Sequence, residues 1–176
     1  MRQHLPDFPS VVQVYALIAA VFAGWTITAF LWKLSAWLLL LNLGEILTIL
    51  SYAFAANFLE SLIVLSVLLA VGALLPAPIL RDDFVVRGTI MALGLVGSLM
   101  AFVGSEVWLG FENGNWLFTP PLGVLLLTGF LLRQSAKYRR LRSAMLWLAD
   151  RIVIFLFILL PLFALGLVYV ILRNVI

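Results

Sequence analysis

Eight carboxylates, one histidine and no cysteine make up nearly all the acid–base and thiol chemistry open to this chain. The histidine, His4, lies on an N-terminal tail and reads as a solvated residue. Neither an imidazole-based triad nor an imidazole proton relay is therefore on offer inside the protein. No spacing of His, Asp and Glu suits a metal ion, no Gly-rich stretch precedes a basic residue in phosphate-loop order, and no serine occupies a nucleophile elbow. Ser98 and Ser105 each follow a glycine, but with no base in prospect they read as packing residues that bond back to their own helix. No catalytic residue, no metal and no cofactor is expected.

The sharper features are a few charged residues among apolar ones. Asn57 and Glu60 are three apart, so they share one face of a helix. Glu106 follows Ser105 at the end of another apolar stretch. If those two helices are neighbours, Glu60 and Glu106 lie at similar depth and could form a carboxylate pair with one shared proton. That would suit cation or proton passage, or a hydrogen-bonded contact with an arginine of a partner. The simpler reading is that each carboxylate reaches headgroup water and fixes the depth of its helix. On the basic side, Arg87, Arg142 and Arg151 could contact a lipid phosphate. Asp150, beside Arg151 at an expected helix start, is favoured by the helix dipole and by nearby cations. Arg81-Asp82-Asp83 reads as a solvated turn, and the basic run 133–142, which includes Tyr138, as a clamp on anionic headgroups.

The elements that position these residues follow from composition. Of 176 residues 65% are hydrophobic and only 11% are charged, with a mean hydropathy of +1.18. An ordinary soluble domain has about 45–50% apolar and about 25% charged residues. So few polar side chains cannot cover a water-soluble globule, and disorder needs the opposite composition. The apolar runs are too long for the alternating strands of a membrane barrel. The fold class is therefore an all-α, polytopic integral membrane protein forming a single domain. The net charge of +3 does not point to nucleic acid, because the cations gather at the ends of apolar runs, where topology and lipid headgroups account for them.

Five spans are expected, at about 10–32, 56–75, 88–108, 117–132 and 146–172. Ser10 is a plausible N-cap for the first, behind Pro6 and Pro9. Asn42-Leu43-Gly44-Glu45 reads as a capping box that starts a helix at 43, and Pro76 and Pro78 end that helix near 75. Segment 34–55 is then an outer-boundary helical stretch. The rival reading makes 34–54 a sixth span and turns the chain at 55–57. Thr119 can cap the fourth span with Pro120 at its first position, and Pro161 deprives the carbonyl of Phe157 of its helical partner in the fifth.

With the N-terminus inside, nine of the eleven Lys and Arg residues lie on the inner side, and only Lys33 and Arg173 lie outside. The six-span alternative gives the same nine and two, so charge orients the later spans without fixing their number. The basic loop 133–142 is expected in the cytoplasm and the protein in a cell (inner) membrane. Ala16, Ala20 and Gly24, and again Gly94 with Ser98 and Gly97 with Ala101 and Ser105, recur every fourth residue and form flat faces for close helix packing. Trp116-Leu117-Phe118-Thr119-Pro120-Pro121 resembles the aromatic–Pro-Pro helix entry of the tryptophan-rich sensory/translocator proteins. The likeness covers six residues and lacks their later Trp- and Asn-rich helices, so no family is assigned. The functional expectation is a non-catalytic subunit or accessory protein of a larger membrane complex, its partners being the lipid bilayer, anionic headgroups and other membrane subunits or itself. A small ion- or proton-coupled transporter or channel using Glu60, Glu106 and Asn57 is the alternative, and a lipid-modifying membrane enzyme the third.

Overall fold

A computed structural model describes residues 6–74, 83–107 and 118–175, the side chains of 105–107 excepted. Among the described residues the chain forms five helices: α1 Phe8–Leu40, α2 Leu43–Leu74, α3 Phe84–Val107, α4 Thr119–Ser135 and α5 Arg139–Val175. Four stretches, Phe8–Leu40, Leu43–Leu74, Phe84–Gly104 and Arg139–Val175, are long and apolar enough to cross a membrane. The protein is an all-α, polytopic membrane protein.

The break between α1 and α2 is set locally. Asn42 Oδ1 accepts from the Glu45 N–H at 2.9 Å, and a Glu45 carboxylate oxygen accepts from the Asn42 N–H at 2.9 Å. This reciprocal pair satisfies two backbone donors at the start of α2. Residues 34–40 continue α1 and residues 43–55 open α2, so the segment 34–55 is divided between two helices. No turn occurs at 55–57, where a sixth span would need one.

Helix ends run beyond the apolar runs that marked them. α5 starts at Arg139 rather than near 146, because Arg, Leu, Ala and Met carry a helix well into the polar region. Asp150 therefore lies three turns inside α5, beyond the first turn where the helix dipole would favour it. α1 starts at Phe8 with Asp7, not Ser10, as its N-cap, since Pro9 is tolerated in a first turn. Ser10 Oγ instead donates to Asp7 Oδ1 at 2.7 Å. Thr119 is likewise the first helical residue of α4, and Phe118 takes the cap position without a side-chain bond.

α1 is the centre of the bundle, with Val14 to Ala19 buried all round. Its Val14, Leu17 and Ile18 pack with Val64 and Leu68 of α2 and with Phe84, Ala92 and Val96 of α3. Its Tyr15, Ala16, Ala19 and Ala23 pack with Phe54 of α2 and with Leu156, Leu159 and Phe163 of α5. The Phe163 ring lies 6.0 Å from Phe54 and 6.1 Å from Phe58, centroid to centroid. Two glycines permit the closest approaches. A Cβ on Gly166 would stand 2.9 Å from the Ser51 carbonyl oxygen, and one on Gly94 only 2.2 Å from Thr128 Oγ1. α4 runs antiparallel to α3 on the outside of the bundle, with Phe118 against Phe102 at one end and Thr128 against Gly94 further along.

Candidate functional site

Thr26 lies 14 residues before Leu40, the last residue of α1, and Asn57 lies 14 residues after Leu43, the first of α2. Two antiparallel helices joined by a tight turn bring such residues to one level. Thr26 Oγ1 donates to Asn57 Oδ1 at 2.9 Å. Asn57 is only 4% exposed, and its buried Nδ2 has no hydrogen-bond partner among the described residues. Glu60, one turn further, sits at the middle of α2 rather than near a helix end.

These three residues border a cavity of about 550 Å³ between α1, α2 and α3, whose other walls include Trp25, Leu99 and Val103. Its carboxyl, amide and hydroxyl side chains gather at the Thr26–Asn57–Glu60 corner, and the other walls are aliphatic and aromatic side chains. The mouth lies on the outer surface of the bundle, since Glu60, Ile63, Leu99 and Val103 are exposed. The site thus offers a carboxyl group, one turn from a buried Thr26–Asn57 pair, at half the height of an apolar bundle. Glu106 belongs to the last turns of α3, beyond the wall formed by Leu99 and Val103; its side chain lies outside the described residues, as does any pairing with Glu60.

Of the three arginines, Arg142 and Arg87 lie near Asp83, and Arg151 stands apart from them. Arg142 Nη2 donates to Asp83 Oδ1 at 2.6 Å, an ion pair that ties the start of α5 to the start of α3. Arg87 is half-buried in the first turn of α3, one turn on from Asp83. Arg151 is exposed nine residues after Arg142, which at about 100° per residue puts it on the opposite face of α5. Tyr138 is exposed, with the Lys137 ammonium 5.8 Å from its ring centre.

A second polar cluster, at the hairpin end of the bundle, has no counterpart among the residues singled out from sequence. The Thr48 hydroxyl donates to the Gly44 carbonyl, so its oxygen accepts from Tyr169, 2.8 Å away, and from the Arg173 guanidinium. Asn174 Nδ2 donates to the Tyr52 hydroxyl at 2.7 Å. These bonds clasp the end of α5 to the start of α2. The available signal was periodicity: Thr48 with Tyr52, and Tyr169 with Arg173, are both four apart at the polar end of an apolar helix.

Among the described residues no group of three or more His, Cys, Asp or Glu side chains could hold a metal ion. The chain matches no protein-family model, no curated protein and no solved structure.

Proposed function

We propose that this chain is a non-catalytic integral membrane subunit or accessory protein of a larger membrane complex. It lies in a cell (inner) membrane, with the basic connector 133–142 on the cytoplasmic side and anionic headgroups around it. One observation carries the reading. α1 and α2 have 33 and 32 residues and are apolar almost throughout. At about 1.5 Å per residue each is about 50 Å long, against a hydrocarbon core of about 30 Å. Fitting such helices inside the core would need a tilt of about 50°, beyond the usual range of about 0–40°. The hairpin end therefore protrudes, and it is oily: Leu39 is 86% exposed, Leu40 81% and Leu43 72%. An apolar end held in headgroup water calls for a protein that covers it.

A photoreactive side chain placed at Leu39 or Leu40 tests this in native membrane. The expected result is crosslinking to one defined membrane protein, or to a second copy of the chain, at fixed stoichiometry. Crosslinks to lipid alone, together with a purified protein that is strictly monomeric, would overturn it.

A second reading, a small ion- or proton-coupled transporter, is favoured by Glu60 at mid-height on a cavity. It expects an ion or proton flux in liposomes that Glu60→Gln abolishes, and it fails if the unmodified protein carries no flux at any pH.

A further inference from the structure

Glu60 lies 17 residues after Leu43 and 14 before Leu74, about 25 and 21 Å along α2 from its two ends. Its side chain is exposed, and no hydrogen bond or ion pair joins it to any described residue. The surface around it is oily: Leu59 is exposed beside it, and so are Ile63, Leu99 and Val103 at the mouth of the cavity it borders. Ionisable groups inside membrane spans are expensive, and almost all of them turn toward a partner in their own bundle or toward water. This carboxyl group turns outward, so its counterpart must come from outside the bundle. We infer, on the footing of the subunit role, that the face of α2 and α3 around Glu60 seats a transmembrane helix of another membrane protein, whose Lys or Arg pairs with Glu60.

Charge complementarity selects the occupant. A carboxylate is an acceptor and an anion, so it calls for a cationic donor. Trp25 borders the same cavity and is partly exposed, and an indole attracts Lys and Arg side chains better than other rings do. A lipid ammonium stays with its headgroup, whereas a helix, with its backbone bonds satisfied internally, can carry a basic residue to any depth. Ala53 and Ala56 also line the cavity, and such small residues let another backbone come close. The cavity, about 550 Å³, holds a long side chain and its apolar neighbours, while the shaft of a helix about 10–12 Å across lies over the mouth. A second copy of this chain in the same orientation does not supply the cation. The Thr26–Asn57 bond sets the register of α1 and α2. Lys33 is seven residues from Thr26 toward the hairpin and Glu60 three residues from Asn57 away from it, ten residues or about 15 Å in height. Arg151 is 15 residues before Gly166, which meets Ser51 and Ala55, and Glu60 is only nine and five residues past those two. The remaining six to ten residues separate Arg151 from Glu60 by about 9–15 Å in height.

The test places a photoreactive benzoylphenylalanine in place of Ile63 in the full chain, in native membrane, and sequences the crosslinked peptide by mass spectrometry. The expected peptide is an apolar helix of another membrane protein with a Lys or Arg inside its apolar run. Glu60→Gln should lower the yield about tenfold, because it exchanges a charge-assisted bond for a neutral one, whereas Glu60→Asp should keep most of it. Glu60→Lys alone should abolish the crosslink, and a Glu at the partner's basic position should then restore it. A crosslink to lipid alone, to a second copy of the chain, or to a segment without a basic residue would overturn the proposal. So would a yield indifferent to Glu60→Gln. Glu60 bonds to no described residue, so these variants should fold as the parent does. Should one fail to, the peptide captured with Glu60 in place still decides. Crosslinking at Leu39 or Leu40 reports separately. A protein captured there but none at position 63 removes this helix site and leaves the subunit role standing, whereas no protein at either place removes both.

Discussion

Gly94→Ala is the substitution whose effect follows most directly from the coordinates. A Cβ at position 94 would lie 2.2 Å from Thr128 Oγ1, 2.5 Å from Cγ2 and 2.8 Å from Cβ. Ordinary van der Waals contact begins near 3.4 Å, so α4 must move away from α3 by about an ångström along the whole seam. In a bundle held by packing rather than by expulsion of water, that opening forfeits dispersion contacts on both helices. Overpacking of this kind costs about 1–3 kcal/mol. The partner residue gives the control. Thr128→Ala removes the two nearest atoms but leaves Cβ, so it should rescue Gly94→Ala in part. Thr128→Gly removes all three and should rescue it almost fully, after subtraction of the ~1 kcal/mol that glycine costs in a helix. Unfolding by SDS titration in mixed micelles, read by circular dichroism, supplies the four corners of each cycle. A Gly94→Ala protein within about 0.5 kcal/mol of the parent, or single effects that simply add, would refute the close α3–α4 approach.

Two further substitutions probe other joints. Gly166→Ala sets a methyl 2.9 Å from the Ser51 carbonyl oxygen and 3.2 Å from Phe54 Cβ. Because one obstacle is backbone, the cost of about 1–3 kcal/mol should persist in a Phe54→Gly background, which removes the other, in the same SDS titration. Asn42→Ala removes the acceptor for the Glu45 N–H and should destabilise the start of α2 by about 1 kcal/mol. Hydrogen exchange would show this as faster exchange at Glu45, with the amides of the α1–α3 core unchanged.

What could be read from the sequence was what is encoded over one helical turn. The Asn42–Glu45 box is a four-residue signal, and its two bonds form as such a signal requires. The shared face of Asn57 and Glu60 is equally local, and both residues do border one cavity. Thr26, the partner that holds Asn57, is 31 residues away, and only the register of the α1–α2 hairpin brings it there. The Thr48–Tyr169 contact spans 121 residues and depends on how α5 returns along α2. The misplaced start of α5 has a different cause. Hydropathy reports where a helix can meet lipid, whereas the helix itself continues through Arg139 to Met145, residues that favour helix without favouring lipid.

The small-residue faces show why apolar helices reveal contact more readily than they reveal the partner. Four-residue spacing marks a surface where another backbone can come close, but the lipid-facing and protein-facing sides of such helices are both apolar, so composition does not say which helix approaches. In this chain most of that surface is used internally. Ala16 is buried against α5, Gly94 receives Thr128, and Gly97 faces Val124. A surplus of close-packing faces therefore gives little support to a subunit role. Gly24, Gly123 and Gly129 remain, each with open space where a Cβ would stand. The stronger argument for a partner comes from length. α3 and α4, with 24 and 17 residues, are about 36 and 26 Å long, whereas α1, α2 and α5 run to about 50 Å or more. The overrun is shared by three helices, clasped together by Thr48, Tyr169 and Arg173, and ends in leucines. A rigid oily projection of that kind is ill suited to headgroup water and well suited to docking into another membrane protein.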